Sequence, residues 1–540
     1  MTVSPPAENY DEIPYPRLTH FLTHPDRGCT LALLMGMKPA PIEHCRVLEI
    51  GCASGWNLLP MAINYPNSTF TGIDLSQRQI QDGLEDVEAL GLPNVTLLAK
   101  NILDIERDFC QFDYIIAHGV FSWVPPDVRE KLLAVYHENL APNGVGFVSY
   151  NTFPGWHILE VIRNMMLFHT RSDTDPIERA ERAKKLLEFL AESVLADSPY
   201  GVMLRGHNEY LDRHMLWNPA LKDSLLIHDH LSEFNNAFYF YQFAEMASRH
   251  GLQYLCDADF HTDFPSNFQP ENAEALLQMS HDLIELEQYM DFLRNRQFRR
   301  SLLVHADLDI QRQLKIERLF HLWVGSFTKP ESSAPDLTSD APVKFEGRDG
   351  GKITLTYPLS KAAMVCLARR WPEYIPFQSL VKEAQALLVE QIHSPASPSG
   401  AVSSEQVFTL GTDLLKAFTY SDSLVEFHSC APRYTSQVRE LPKASPWAQY
   451  ESAHSNWVTN IRHELVELDT LEVPLLRLLD GSRDRCAILA ALEKPVQAGE
   501  IVIREEGEPV TDHAQKMKVL DTVLDVKLSH LANAALLIPS

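Results

Sequence analysis

From Arg46 to Tyr150, short apolar runs alternate with amphipathic stretches, a rhythm that predicts a βαβ series and a mainly parallel sheet. The segments RVLEI (46–50), TFTGID (69–74), VTLLA (95–99), FDYIIA (112–117) and VGFVSY (145–150) read as strands. Between them, 75–90 and 126–140 have helical spacing and end near Gly91 and Pro142, where a helix is expected to stop. The alternation then breaks. Residues 156–196 read as helical, with acidic and basic positions three and four apart in PIERAERAKKLLEFLAE. It returns at FYFYQFAEMASRHGLQYLCDADF (238–260), a helical run stopped by Gly251 and followed by a sixth strand, and FRRSLLVH (298–305) supplies a seventh. The sheet is thus expected to close near residue 305, with helical insertions at about 155–225 and 268–296.

Beyond that point the pattern changes. Residues 328–344 and 393–405, rich in Pro, Ser and Ala, read as linkers. Helical spacing recurs at 457–468, 474–479, 483–492 and 514–532, with an exposed-looking REEGEP (504–509) before the last. The expected division is a first domain over 1–305, a middle domain over 306–435 and a small, mainly helical domain over 436–540, in agreement with a chain of 540 residues that is too long for one core.

Composition narrows the function classes. With 47 basic and 72 acidic residues the formal charge is -25, which repels a phosphate backbone and makes nucleic acid a poor substrate. No run approaches ~20 uninterrupted apolar residues, and MTVSPPAENYDEIPYP lacks the basic and apolar regions of a signal peptide. The expectation is a cytoplasmic protein without membrane insertion. The eight cysteines form no CxxC pair and read as reduced, mostly buried thiols.

The most informative stretch is VLEIGCASGWN (47–57), where an apolar strand runs directly into Glu-x-Gly-x-x-x-Gly and then a helix. Gly51 and Gly55 permit a tight turn and leave no Cβ in the way of a ligand, and amides at the following helix start can face a polar group. A dinucleotide fingerprint starting at Gly51 requires glycine where Ala53 and Trp56 stand, so that pattern fails. Asp74 ends the second strand, where a carboxylate can accept from two ribose hydroxyls; as a plain helix cap it is made redundant by Ser76. Strand, turn, helix and acidic strand end, in this order, point to a nucleoside-containing cofactor.

On these residues the chain resembles class I S-adenosylmethionine-dependent methyltransferases over 46–150, which implies a Rossmann-like α/β fold. The resemblance implies Glu49, Gly51, Ala53 and Gly55 beneath the methionine portion, Asp74 at the ribose, and Asn101 and Ile102 flanking adenine. It also places His118, after the fourth strand, near the donor methyl. Asn101 stands where the family more often has aspartate, although an amide can also hydrogen-bond adenine. More narrowly, YDEIPYP, AHGVFSWVP (117–125), SYNTFPGWH (149–157), HDHLSEFNNAFYFYQF (228–243) and DFLRNRQFRRSLLVH (291–305) are similar to bacterial, rickettsial-type protein-lysine methyltransferases carrying a methyltransferase regulatory domain. That resemblance assigns a regulatory-domain-like region to 216–305 and reaches into 456–485.

Methyl transfer from a sulfonium is governed by in-line positioning of a neutral nucleophile. A lysine amine must first lose a proton, which an apolar lining promotes. Phe121, Trp123, Tyr150, Trp156 and Tyr15 are the aromatic candidates for that lining, with hydrophobic core as the competing reading. His118 either orients the amine and relays a proton or serves the structure alone. Asn151 either accepts from the amine or caps the turn at Pro154–Gly155. His20/His24 and His228/His230 lack a convincing third ligand, so no metal is expected. Arg294, Arg296, Arg299 and Arg300, after an acidic stretch, read as a solvated, salt-bridged surface. The leading reading is an enzyme methylating a lysine of a protein partner, with inserted helices and C-terminal modules presenting or restricting the polypeptide, or pairing a homodimer. A small-molecule N- or O-methyltransferase and a non-catalytic cofactor-binding scaffold remain as alternatives.

Overall fold

The computed structural model describes residues 11, 13–217, 225–392, 402–502, 504–505 and 508–539. Its contacts divide the chain into two compact units. The first comprises 1–18, 45–58 and 68–309, and the second 19–44, 59–67 and 310–540.

The first unit is built on one mixed sheet of β1 (Arg46–Ile50), β2 (Thr69–Asp74), β3 (Val95–Ala99), β4 (Phe112–Ala117), β5 (Leu140–Thr152), β6 (Ala237–Phe238), β7 (Leu252–Asp257) and β8 (Phe298–His305). Strand order is β3-β2-β1-β4-β5-β8-β7, with the two-residue β6 pairing parallel to β5. β1 to β5 are parallel, and β8 runs antiparallel to both β5 and β7. All seven strands read from the sequence are present, although β5 begins five residues earlier than expected. Helices α1 (Gln77–Leu90) and α2 (Pro126–Asn139) connect the parallel strands. α1 starts later than its periodicity suggests because the Ser76 hydroxyl caps it, accepting from Gln79 N at 3.1 Å, and it stops at Gly91 in the left-handed conformation.

The insertion between β5 and β6 forms α3 (Trp156–His169), α4 (Pro176–Ser193) and α5 (Pro199–Trp217), which share their own small core of residues such as Ile162, Ala183, Leu187 and Leu204. α6 (Phe240–Arg249), α7 (Pro270–Met279) and α8 (Leu283–Arg294) follow. The arginines after α8 are not the solvated surface expected. Arg299 is fully buried, donating to both oxygens of Asp291 at 2.8 and 2.9 Å and to Glu287 at 2.9 Å, and Arg296 pairs with Asp257 at 2.9 Å. The cause is alternation on β8: Arg299 faces inward, where Glu287 and Asp291, one turn apart on α8, meet it. Removing one partner from such a buried pair costs about 3–5 kcal/mol.

In the second unit, the segment expected as a linker at 328–344 is paired at both ends. Lys329–Pro330 and Val343–Glu346 are adjacent antiparallel strands, and Leu337 between them is buried. Its small residues fill turns rather than free chain. Of the expected linker at 393–405, residues 393–401 lie outside the described residues. Trp457–Leu468, expected as helix, is a hairpin of Trp457–Thr459 and Leu465–Glu467. Val458, Thr459 and Val466 are β-branched, and the turn is closed by the Asn460 carbonyl accepting from His463 N at 3.0 Å. Helices follow at Glu472–Leu478, Arg485–Ala498 and His513–Asn533. Before the last lies a short hairpin, Arg504–Glu505 with Glu508–Pro509, at the REEGEP segment, whose residues 506 and 507 fall outside the described residues. Helices with such a hairpin between the last two make this mainly helical module a winged-helix arrangement. No helix among the described residues is long and apolar enough to cross a membrane.

Candidate active site

β1 lies between β2 and β4, so the direction of strand succession reverses there, and ligands of open α/β sheets settle beyond the carboxyl ends of strands at that switch point. A cavity of about 940 Å³ opens at that place in the first unit. Its floor is the turn after β1. Gly51 adopts φ +73°, its N–H donates to the Ile73 carbonyl at 2.8 Å, and an added Cβ would meet Val120 Cγ2 at 2.6 Å. Ala53 holds φ +50°, a conformation that a side chain disfavours, and donates its N–H to Asp74 Oδ2 at 2.8 Å. Ser76 N donates to Asp74 Oδ1 at 2.8 Å. Burial pushes the Asp74 carboxyl up, and these two donations oppose the rise.

Beyond β4 the cavity wall continues through His118, Gly119, Val120 and Trp123. His118 Nδ1 lies 3.0 Å from Ser149 Oγ, which also accepts from Gly119 N at 2.9 Å. Asn101 lines the cavity and caps the turn after β3, accepting from Leu103 N at 3.0 Å. The far wall is supplied by Asn151, Trp156, α5 and the segment 227–234.

Three family descriptions match the chain: a methyltransferase domain over 47–144, a predicted methyltransferase regulatory domain over 222–305, and a PKMT C-terminal winged helix domain over 440–536. PKMT2 from Rickettsia typhi, solved in complex with AdoHcy, superposes with a TM-score of 0.85 at 30% identity, covering 97% of this chain and all of that one. The uncharacterized protein RP789 of Rickettsia prowazekii is 33% identical over 537 residues, 98% of this chain and 93% of that one. A second Rickettsia prowazekii protein, RP028, is 39% identical over 248 residues, covering 46% of this chain and 96% of its own length.

The chain belongs to the PKMT family of S-adenosylmethionine-dependent methyltransferases.

Within this PKMT-family fold, the regulatory-domain match supplies β6, β7 and β8 of the same sheet that carries the glycine turn. The cavity fits the family's cofactor. Gly119 lines it at φ +67° with nothing within 4 Å of an added Cβ, so the wall there is open where a side chain would protrude into ligand space. The indole N–H groups of Trp123 and Trp156 are buried and find no acceptor among the described residues, a deficit that an acceptor-bearing ligand can satisfy.

Of the residues singled out in the sequence, the cavity brings together Tyr15, Gly51, Ala53, Asp74, Asn101, Ile102, His118, Trp123, Asn151 and Trp156. Glu49 and Gly55 stand behind the turn and not on its surface. Glu49 is buried, its Oε1 accepting from Asn57 Nδ2 at 2.7 Å while Oε2 has no partner among the described residues, and burial pushes its carboxyl up to about 8. Gly55 packs against Leu97. Phe121 and Tyr150 do not line the cavity. Both are fully buried in an aromatic cluster where Tyr150 stacks on Phe243 at 4.0 Å, Phe121 meets both edge to face, and the Tyr150 hydroxyl pairs with Ser301. Phe121, beyond the end of β4, and Tyr150, within β5, both face the core. Asn151 is tied to a side chain rather than to the Pro154 turn: its Nδ2 donates to Asn235 Oδ1 at 2.7 Å.

Sequence reasoning missed Gln79, whose Oε1 accepts from Tyr15 N at 3.0 Å, and the cluster of His207, Tyr210 and Asp229. The available signal was LLIHDHL (225–231), a carboxylate inside an apolar run.

Proposed function

We propose that this chain transfers the methyl group of S-adenosylmethionine to the side-chain amine of a lysine in a protein. The observation that carries the reading is the single cavity whose near wall is the Gly51–Asp74–Asn101 turn system and whose far wall comes from the insertion and regulatory segments. In this reading Asp74 receives the ribose hydroxyls, and Asn101 and Ile102 flank the adenine. Gly51 and Ala53 lie under the methionine portion, supported from behind by Glu49 and Gly55. The bound cofactor supplies an electrophilic methyl group, and the chain supplies position and a water-poor lining. Trp123, Trp156 and Tyr15 border the acceptor, while His118, held at Nδ1 by Ser149, and Asn151, held by Asn235, fix polar contacts on either side. The full-length likeness to Rickettsia typhi PKMT2 supports a protein acceptor over a metabolite.

The test is tritium transfer from labelled S-adenosylmethionine into lysate protein, followed by acid hydrolysis and amino-acid separation. Label on methylated lysine in the wild type, with cofactor affinity weakened about 100-fold in Asp74→Ala as two charge-assisted hydrogen bonds are lost, is the expected result. Label confined to small molecules overturns the protein acceptor.

A further inference from the structure

The far wall of the cavity contains a carboxylate with no partner among the described residues. Asp229 sits on a wide π-type turn, Leu225–His230, and lines the cavity together with Asn151 and Trp156. Its side chain makes no hydrogen bond or ion pair among the described residues, and burial alone acts on it. Its main chain is fixed, because the Asp229 carbonyl accepts from Asn235 Nδ2, and the same Asn235 accepts from Asn151. Asp229 is half-buried, so its carboxylate faces the cavity, where a cation that enters can meet it.

We propose that Asp229 receives the acceptor's ammonium group and takes its proton before methyl transfer. This rests on the lysine reading above. The ammonium loses one proton to the Asp229 carboxylate, giving a neutral amine and a carboxylic acid. The amine lone pair then forms the N–C bond as the donor's S–C bond breaks and its electron pair returns to sulfur. The products are a methylated ammonium and a neutral thioether, and the acid returns its proton to solvent.

The surroundings suit this role. Burial pushes Asp229 up to about 7, which makes it a stronger base than an ordinary aspartate. On the same wall, burial lowers His207 to about 3 and His228 to about 4, so both are neutral and neither repels an incoming cation. Tyr210 on α5 is raised by burial and, to a lesser extent, by the charge of Asp229. His230 shares the turn, with Nε2 3.0 Å from that of His207, and Glu233 is exposed at the edge. Across the cavity lie His118, Lys100 and Arg300, the last paired with Asp259 at 2.5 Å. Asp74, a further carboxylate of the cavity beside Asp229 and Glu233, accepts main-chain N–H groups on both oxygens.

The experiment uses the full chain loaded with S-adenosylhomocysteine and n-butylammonium as the side-chain probe, titrated by NMR at pH 8. Asp229→Asn is expected to weaken probe binding at least tenfold while leaving S-adenosylhomocysteine affinity within threefold. In turnover with lysate protein, it is expected to lower kcat/KM by about 10²–10⁴-fold and to remove the acid limb near pH 7. Asp229→Glu, which keeps the carboxylate, should retain probe binding and the limb, separating a charge role from a packing one if Asp229→Asn melts early. Equal probe binding in wild type and Asp229→Asn, or none in the wild type, overturns the proposal. Probe binding that depends on Asp229, with label found only in small amines, overturns the protein acceptor and leaves Asp229 in place.

Discussion

At the residue scale, a site side chain is defined as much by what it lacks as by what it touches. Glu49 has one oxygen held by Asn57 and one without a partner, and its carboxyl is raised to about 8 from an ordinary 4.5. The folded chain therefore keeps a proton that the unfolded chain releases above about pH 4.5. Across that window the folded state binds more protons, so this glutamate makes stability fall as pH rises, and its contribution levels off above about 8. Glu451 in the second unit, also raised to about 8 by burial, adds to the same slope. Glu49→Gln keeps the oxygen that Asn57 needs and cannot ionise, so its melting temperature at pH 8 should exceed that of wild type by about 2–4 °C, with no gain at pH 4.5. Parallel melting curves for the two proteins from pH 4.5 to 8 would contradict this. The glycine turn and Asp74 were legible because backbone approach and strand ends leave a local signature. The core placement of Phe121 and Tyr150 was not, because their facing is decided by segments more than 80 positions away, Phe238 and Phe243, and Asp229 left only the weak trace of an acidic residue inside an apolar run, which does not say what it faces.

At the element scale, the parallel strands and their helices were readable from periodicity alone, since each is long enough for its apolar spacing to exclude the alternative. The hairpin over 457–467 was not, because two three-residue strands joined by a short turn give no clear period, and pairing rather than spacing fixes them. Elements also act on the site by how closely they approach it. α1 lies so near the glycine turn that a Cβ built on Gly83 falls 2.3 Å from the Ser54 carbonyl oxygen, and 2.7 Å from Leu97 Cδ1. The first contact is backbone, so no rotamer change relieves it. Gly83→Ala must push α1 away from the loop that holds Ala53 and Asp74. The helix gains up to about 1 kcal/mol of propensity, yet a net destabilisation of about 1–3 kcal/mol is expected from the clash, together with at least tenfold weaker S-adenosylmethionine binding. Calorimetric titration and thermal melting of the same preparation check both parts. Unchanged affinity in a stable variant would show that the turn is not set by α1.

At the scale of the whole molecule, the chain crosses between its two units more often than a linear division suggests. The sequence suggests a boundary near 305, whereas the contacts divide the chain into two interleaved units, the first of which has its last segment over 68–309. The excursions 19–44 and 59–67 are not visible, because short segments carry no domain signature. They are nonetheless integral to the second unit. Asp26 is held below the usual carboxylate range, to about 2, with His428 Nδ1 at 2.6 Å and Ser429 N at 2.7 Å, while Arg27 donates to Asp422 at 2.9 Å. Leu31, Leu34, Ile42, Leu59 and Met61 are almost wholly buried. A truncation after residue 309 keeps every strand of the cofactor sheet but leaves these segments without their unit. It strands a buried-type carboxylate without its histidine and turns five large apolar side chains out to water, each worth about 1.5–3 kcal/mol of lost burial. The fragment 1–309 should therefore bind a hydrophobic dye and self-associate on size exclusion, although its sheet contains the entire cavity. Adding 310–540 in trans should reduce dye binding and restore S-adenosylmethionine affinity, because that fragment carries the partners the excursions lost. A monomeric 1–309 that melts cooperatively and binds no dye would show that the excursions fold independently of the unit they pack in, and that the first unit needs nothing from the rest of the chain.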